Sequence, residues 1–158
     1  MALASLAAAA ALAAEPRISY WRLSDDDRRL ELLTAPAASP GLGLQRLTLD
    51  CRKPGALRVE APGIEYVAPG ASPPIRTPLV LEFGSAGARP EMFQAPVLSW
   101  RVRADARSPQ TAVFAPSYKY RRLGDMTSVT ARFGRDAFTA PLPEQGLWRR
   151  FVSRCAAV

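Results

Sequence analysis

Proline punctuates this chain too often for long helices. Fifteen are spread through its 158 residues, and each fixes φ and removes a backbone donor. The stretches between them are short, and several alternate apolar with polar residues, the period of a strand with one buried face. Residues 17–23 read as a first strand, Ser24-Asp25-Asp26-Asp27 as the turn into a second strand over 28–33, and 34–43 as a Pro/Gly loop. In 46–52, alternation places Leu47, Leu49 and Cys51 on one face. Arg52-Lys53-Pro54-Gly55 then supplies turn chemistry, and 56–60 returns with Leu57 and Val59 inward. Further β segments are expected at 64–68, 79–83, 97–103, 111–115 and 128–133. This rhythm predicts a mainly β fold, an antiparallel sandwich or small barrel. At the end of the chain the period changes: Leu147, Trp148, Phe151, Val152 and Cys155 form a helical stripe with arginines opposite, which predicts one C-terminal α-helix.

The first fourteen residues, MALASLAAAAALAA, are an uncharged apolar run ending in small residues before Glu15-Pro16. That is the length of a signal-peptide core and short of the roughly 20 residues that span a bilayer. The run lacks the usual opening Lys or Arg, and an Ala-rich helix of a cytosolic protein is the alternative reading. The expected organisation is therefore a signal peptide over 1–14 and a single β-rich domain over 15–158, with a periplasmic or secreted location and no transmembrane span. A domain of about 150 residues can bury roughly 68–70% of its unfolded surface, enough for a real core. Two cysteines suit an oxidising compartment. Both Cys51, on its strand, and Cys155, on its helix, point toward the core. A bond between them would tie helix to sheet; two separately buried thiols are the alternative.

The chain contains no histidine. This excludes Ser-His-Asp and Cys-His nucleophilic sites, His-ligated metals and imidazole acid/base chemistry within it. Two cysteines so far apart make neither a CxxC redox motif nor a four-cysteine zinc site. Carboxylate chemistry stays open with fourteen Asp and Glu, although no spacing marks a glycosidase pair. Asp25-Asp26-Asp27 lacks the alternating ligands, central Gly and distal Glu of an EF-hand and reads as a solvated turn. Gly41-Leu42-Gly43 precedes a strand, where a phosphate cradle needs a helix N-terminus. No catalytic residue, metal or cofactor is expected.

What remains is charge. The net charge is +7, and a basic surface attracts phosphate and carboxylate alike. Alternation in Trp100-Arg101-Val102-Arg103 would bring Arg101 and Arg103 together on the solvent face. Tyr118-Lys119-Tyr120-Arg121-Arg122 reads as a loop or strand end whose tyrosine rings and cations could meet a sugar or an anionic group. Arg101, Arg103, Lys119, Arg121 and Arg122 are accordingly the candidate anion-binding residues, with Tyr118 and Tyr120 as aromatic partners. A merely solubilising surface is the competing reading.

The layout combines a leader, a Trp-containing first strand, Leu47-x-Leu49-x-Cys51, a Pro54-Gly55 hairpin carrying Arg58-Val59, and a terminal Trp148-x-x-Phe151-x-x-x-Cys155 helix. In this it resembles small exported bacterial proteins of uncharacterised function. The resemblance covers both ends of the chain; it implies a shared Cys51–Cys155 framework and no catalytic residue. The expected function is that of a non-enzymatic envelope protein binding an anionic polymer or lipid, or an envelope protein, through Arg-rich faces. The alternatives are a periplasmic inhibitor of a lytic enzyme and a carboxylate-based glycan hydrolase. Nucleic acid is not an expected partner of an exported protein.

Intact mass of the protein recovered from a periplasmic or secreted fraction should lack residues 1–13 or 1–14, and its thiols should alkylate only after reduction. A full-length mass with two reactive thiols would retire the export reading.

Overall fold

The computed structural model describes residues 16–39, 41, 43–53, 55–61, 78–99, 110–115, 118–134 and 136–156. Nine strands run through these residues: β1 (Arg17–Leu23), β2 (Arg29–Pro36), β3 (Leu44–Lys53), β4 (Ala56–Ala61), β5 (Pro78–Gly84), β6 (Glu91–Ser99), β7 (Gln110–Phe114), β8 (Ser128–Phe133) and β9 (Asp136–Pro141). A 3-10 helix, η1 (Tyr118–Asp125), joins β7 to β8, and an α-helix, α1 (Gln145–Cys155), follows β9. The fold is mainly β with one C-terminal α-helix.

All nine strands lie in one antiparallel sheet of order β1-β2-β3-β4-β7-β6-β5-β8-β9. β1 to β4 form a meander. β5 to β7 form a second meander laid down in reverse, so that β7 returns to pair with β4, Leu57 opposite Phe114. The sheet curls into a half-barrel, because one face of nearly every strand contributes to a single core. Leu30, Leu47, Leu49, Val59, Leu79, Leu81, Phe83, Ala112, Val129 and Ala131 are all fully buried in that core. The strict alternation of burial along β4, β5 and β8 is the pleat itself.

The curl brings the two edge strands toward each other. Trp21 of β1 donates its indole N–H to the carbonyl oxygen of Pro141 in β9, at 2.7 Å. A bulge between β2 and β3, where Leu32 faces Leu47 but Leu33 faces Gln45, leaves Arg46 as the extra residue. Its guanidinium lies over the Phe138 ring of β9, 5.3 Å from the centroid, within the range of a cation–π contact. Side chains thus bridge a seam across which no strand ladder runs among the described residues.

Helix α1 covers one end of the half-barrel. Trp148, Phe151, Val152 and Cys155 are its buried stripe. The Trp148 ring stacks against Phe83 of β5 and Phe151, with centroids 5.8 and 5.7 Å away, and its indole N–H donates to the Leu123 carbonyl oxygen of η1. Cys155 is bonded to Cys51 of β3, with Cα atoms 5.3 Å apart, an ordinary disulfide span. Its carbonyl oxygen accepts the Gly55 N–H of the β3–β4 turn, where Gly55 adopts φ 79°, a conformation that glycine reaches without strain. Arg150 forks onto Asp27 in the β1–β2 turn, at 2.5 and 3.3 Å. Aspartate tolerates the left-handed φ of 57° found there.

Several boundaries differ from the sequence expectation. β2 continues to Pro36 and β3 begins at Leu44, so the 34–43 loop is shorter; β3 also runs through Lys53, which tightens the hairpin turn. β6 begins at Glu91, ahead of the expected 97–103 segment, whose residues after Ser99 lie outside the described residues. β9 was not expected, and Tyr118–Asp125 is helical where a loop or strand end was expected. Residues 1–14 and the 64–68 segment lie outside the described residues. No helix among the described residues is long and apolar enough to cross a membrane.

Trp148→Ala should destabilise the oxidised protein by about 3–5 kcal/mol, the usual cost of a buried aromatic truncation. Replacing Cys51 and Cys155 together by Ala should cost about 2–5 kcal/mol. Urea unfolding checks both, and losses below about 1 kcal/mol would mean that α1 contributes little to the fold.

Candidate functional site

η1 owes its position to the reversed meander. The chain leaves β7 beside β4 and must reach β8 beside β5, so it crosses the end of the sheet where the β5–β6 turn emerges. Tyr120 and Leu123, three residues apart and therefore eclipsed on a 3-10 helix, turn into the core with 1% and 3% exposure. The Tyr120 ring packs 5.1 Å from Phe93, and its hydroxyl donates to the Ala115 carbonyl oxygen at 2.8 Å. Burial pushes that hydroxyl up to about 12. Tyr120 is therefore a neutral core residue with no ring face offered to solvent, because the turn of the helix points it inward. Tyr118 opens the helix, and its side chain lies outside the described residues, as do Arg101 and Arg103.

The opposite face of η1 carries Lys119, Arg121 and Arg122. Glu91, at the start of β6, forms ion pairs with two of them: Lys119 Nζ lies 3.9 Å from Oε2 and Arg122 Nη1 3.5 Å from Oε1. Arg121 is exposed and makes no ion pair among the described residues. Arg89 lies two residues before Glu91 and is exposed on the β5–β6 turn. From the other side α1 delivers Arg149, which donates to Asp125 at 2.8 Å. Its side-chain stem passes 3.7 Å from where a Cβ would stand on Gly124. Lys119, Arg121 and Arg122 of η1 and Arg149 of α1 thus form one basic cap about two carboxylates, Glu91 and Asp125, with Arg89 two residues along the chain from Glu91. Such exposed pairs contribute little to stability; their effect is to hold the cap's cations in place.

Sequence reasoning singled out three of these cations. It placed Arg149, Arg150 and Arg154 opposite the apolar stripe of the helix, but nothing local joins Arg149 to residue 121, and Arg89 carries no signal of its own beside a lone proline. Arg150 is held by Asp27 on the other side of α1. Arg154 sits in the last turn of the helix, where the backbone dipole favours a cation.

A second feature lies at the β1–β2 turn. Ser24, Asp26, Arg28, Arg29 and Asp50 line a shallow open cleft of about 290 Å³. The turn is tightly organised: Ser24 Oγ donates to Asp26 Oδ1 at 2.6 Å, the Arg28 N–H donates to the same oxygen at 3.1 Å, and the Arg29 N–H donates to Ser24 Oγ at 2.9 Å. The hydrogen bond from Ser24, then that from the Arg28 backbone, holds the Asp26 carboxyl below its ordinary range. Glu31 is also held low. Burial pushes it up, but hydrogen bonds from Arg22 and Arg29 and the charges of both more than offset that. No group of three or more His, Cys, Asp or Glu among the described residues could hold a metal ion.

No family model, curated protein or solved structure matches this chain.

Asp26 and Glu31 contribute stability that is present above the unfolded carboxylate pKa, about 4, and lost as pH falls through their lower folded values. Melting temperature should therefore fall on acidification below that range, and Glu31→Gln should flatten the fall. Tyr120 works in the other direction: its contribution is complete below about pH 10 and is lost as pH rises toward about 12. Tyr120→Phe should remove that alkaline loss. Unchanged pH–stability profiles in the two variants would contradict these assignments.

Proposed function

We propose that the protein is a disulfide-braced binding protein of an oxidising extracytoplasmic compartment, and that it holds an anionic polymer or lipid of the cell envelope on the cap formed by η1, the β5–β6 turn and α1. The observation that carries the reading is the pairing of Lys119 and Arg122 of η1 with Glu91 and of Arg149 of α1 with Asp125, which gathers cations of separate segments, with Arg121 on η1 and Arg89 two residues before Glu91 both exposed.

Guanidinium groups present a planar fork that matches phosphate and carboxylate oxygens. Arg89 and Arg121 are exposed and without an acid within ion-pair distance among the described residues, so they can accept an external anion without breaking an internal pair. Lys119, Arg122 and Arg149 add field while Glu91 and Asp125 fix their geometry. An open surface of this kind suits a repeating anionic polymer or a headgroup array, where several weak contacts add through multivalency. The Cys51–Cys155 bond fixes α1, and with it Arg149, to the sheet, and a bond of this kind persists in an oxidising compartment.

Purified oxidised protein should be retained on immobilised lipopolysaccharide or heparin and released by salt, since the contact is electrostatic. The Arg89→Glu, Arg121→Glu double variant should elute at clearly lower salt with its thermal stability unchanged, because neither side chain is part of the core. Absence of salt-sensitive retention by the native protein, or a double variant retained as well as it is, would overturn the reading.

A further inference from the structure

We propose that the cleft at the β1–β2 turn is a separate binding site for a small zwitterion, an amino acid or dipeptide presenting both an ammonium and a carboxylate. The proposal does not depend on the basic cap, which lies on other segments.

The cleft's volume of about 290 Å³ corresponds to roughly ten water molecules at ~30 Å³ each, the lower end of small-molecule sites. Its lining is charged rather than apolar, and both signs are present. Asp26 is ionised and fixed: its Oδ1 takes both the Ser24 hydroxyl and the Arg28 N–H. The exposed carboxylate is thereby held in place as an acceptor for an ammonium group. Arg28 is exposed and has no carboxylate within ion-pair distance among the described residues; its guanidinium can take a carboxylate bidentately. Arg29 is committed to Glu31, with Nη2 2.7 Å from Oε1, so it shapes the wall more than it binds. Asp50 lies opposite Arg29 on β3 and is 5% exposed, which adds a second acidic wall.

This lining discriminates among ligand classes. A simple anion would face Asp26 and Asp50, and a simple cation would face Arg28 and Arg29. A zwitterion meets an opposite charge at each end. The short turn that carries Asp26 and Arg28 is held by Ser24 on one side and by the Asp27–Arg150 pair on the other, so the two groups are positioned before any ligand arrives, and little ordering cost remains for binding.

The test is a titration of 15N-labelled native protein with the dipeptide Ala-Ala, followed by its N-acetylated form and its C-amidated form. The expected result is a saturable shift of the backbone amides of 24–29 and 50 in the millimolar range, weakened about tenfold by either block. Asp26→Asn, which keeps the acceptor for Ser24 and Arg28, should erase the effect of N-acetylation, and Arg28→Ala, which touches only a solvent-facing side chain, should erase the effect of C-amidation. Absence of any shift at tens of millimolar, blocked forms binding as well as the free dipeptide, or the same saturable shift with calcium or inorganic phosphate alone would each overturn the proposal.

Discussion

The seat of Trp148 is the contact on which the rest of this structure depends. A curled sheet that does not close leaves its apolar interior open at the ends, and an open end is a cost proportional to the area left wet. Trp148 fills one end by lying between Phe83 and Phe151 with its single polar atom satisfied by the Leu123 carbonyl oxygen. Three further ties then converge on the same helix: the disulfide to β3, the ion pair to the β1–β2 turn and the hydrogen bond from the β3–β4 turn. Remove the aromatic seat and those ties restrain a helix with nothing beneath it.

The sequence was most readable where two independent signals agreed. Leu47, Leu49 and Cys51 alternate beside a Pro-Gly turn, and Trp148, Phe151, Val152 and Cys155 recur at helical spacing; both sets are buried as read, and the cysteines they carry are bonded. It was least readable where one residue contradicted its neighbours. Phe93, Ala95 and Val97 alternate well, but Pro96 interrupts them and obscured the first half of β6, although a strand tolerates it there opposite Pro78. β9 ends in Pro141 and carries few β-branched residues, so its pairing with β8 along the whole of Ser128–Phe133 is a tertiary outcome that local propensity does not report. In η1 the Tyr120–Leu123 spacing was present, but the surrounding cations made the segment read as a surface and its tyrosine as a ligand contact.

The same asymmetry runs through the site. Charges adjacent in sequence were visible; the way the fold gathers charges from different segments was not. Glu91 links η1 to the start of β6, and Asp125 links it to α1. Each carboxylate is a node that only the reversed order of β5, β6 and β7 creates, because that order forces the chain to cross the sheet end through η1. The absence of histidine and the separation of the two cysteines remain the firmest constraints on chemistry, and they follow from composition alone.

The position of α1 after all nine strands also imposes an order of assembly. Its seat is made by residues of β3, β5 and η1, which are neighbours in space and remote in the chain, so the surface that receives Trp148 does not exist until the sheet has paired. The helix is too short to be stable alone in water. Helix formation and docking are therefore coupled, and the docked helix is what holds the Cys155 sulfur against that of Cys51. The disulfide then acts as a record that folding reached its final step: a chain whose strands have mispaired cannot close it in the native register.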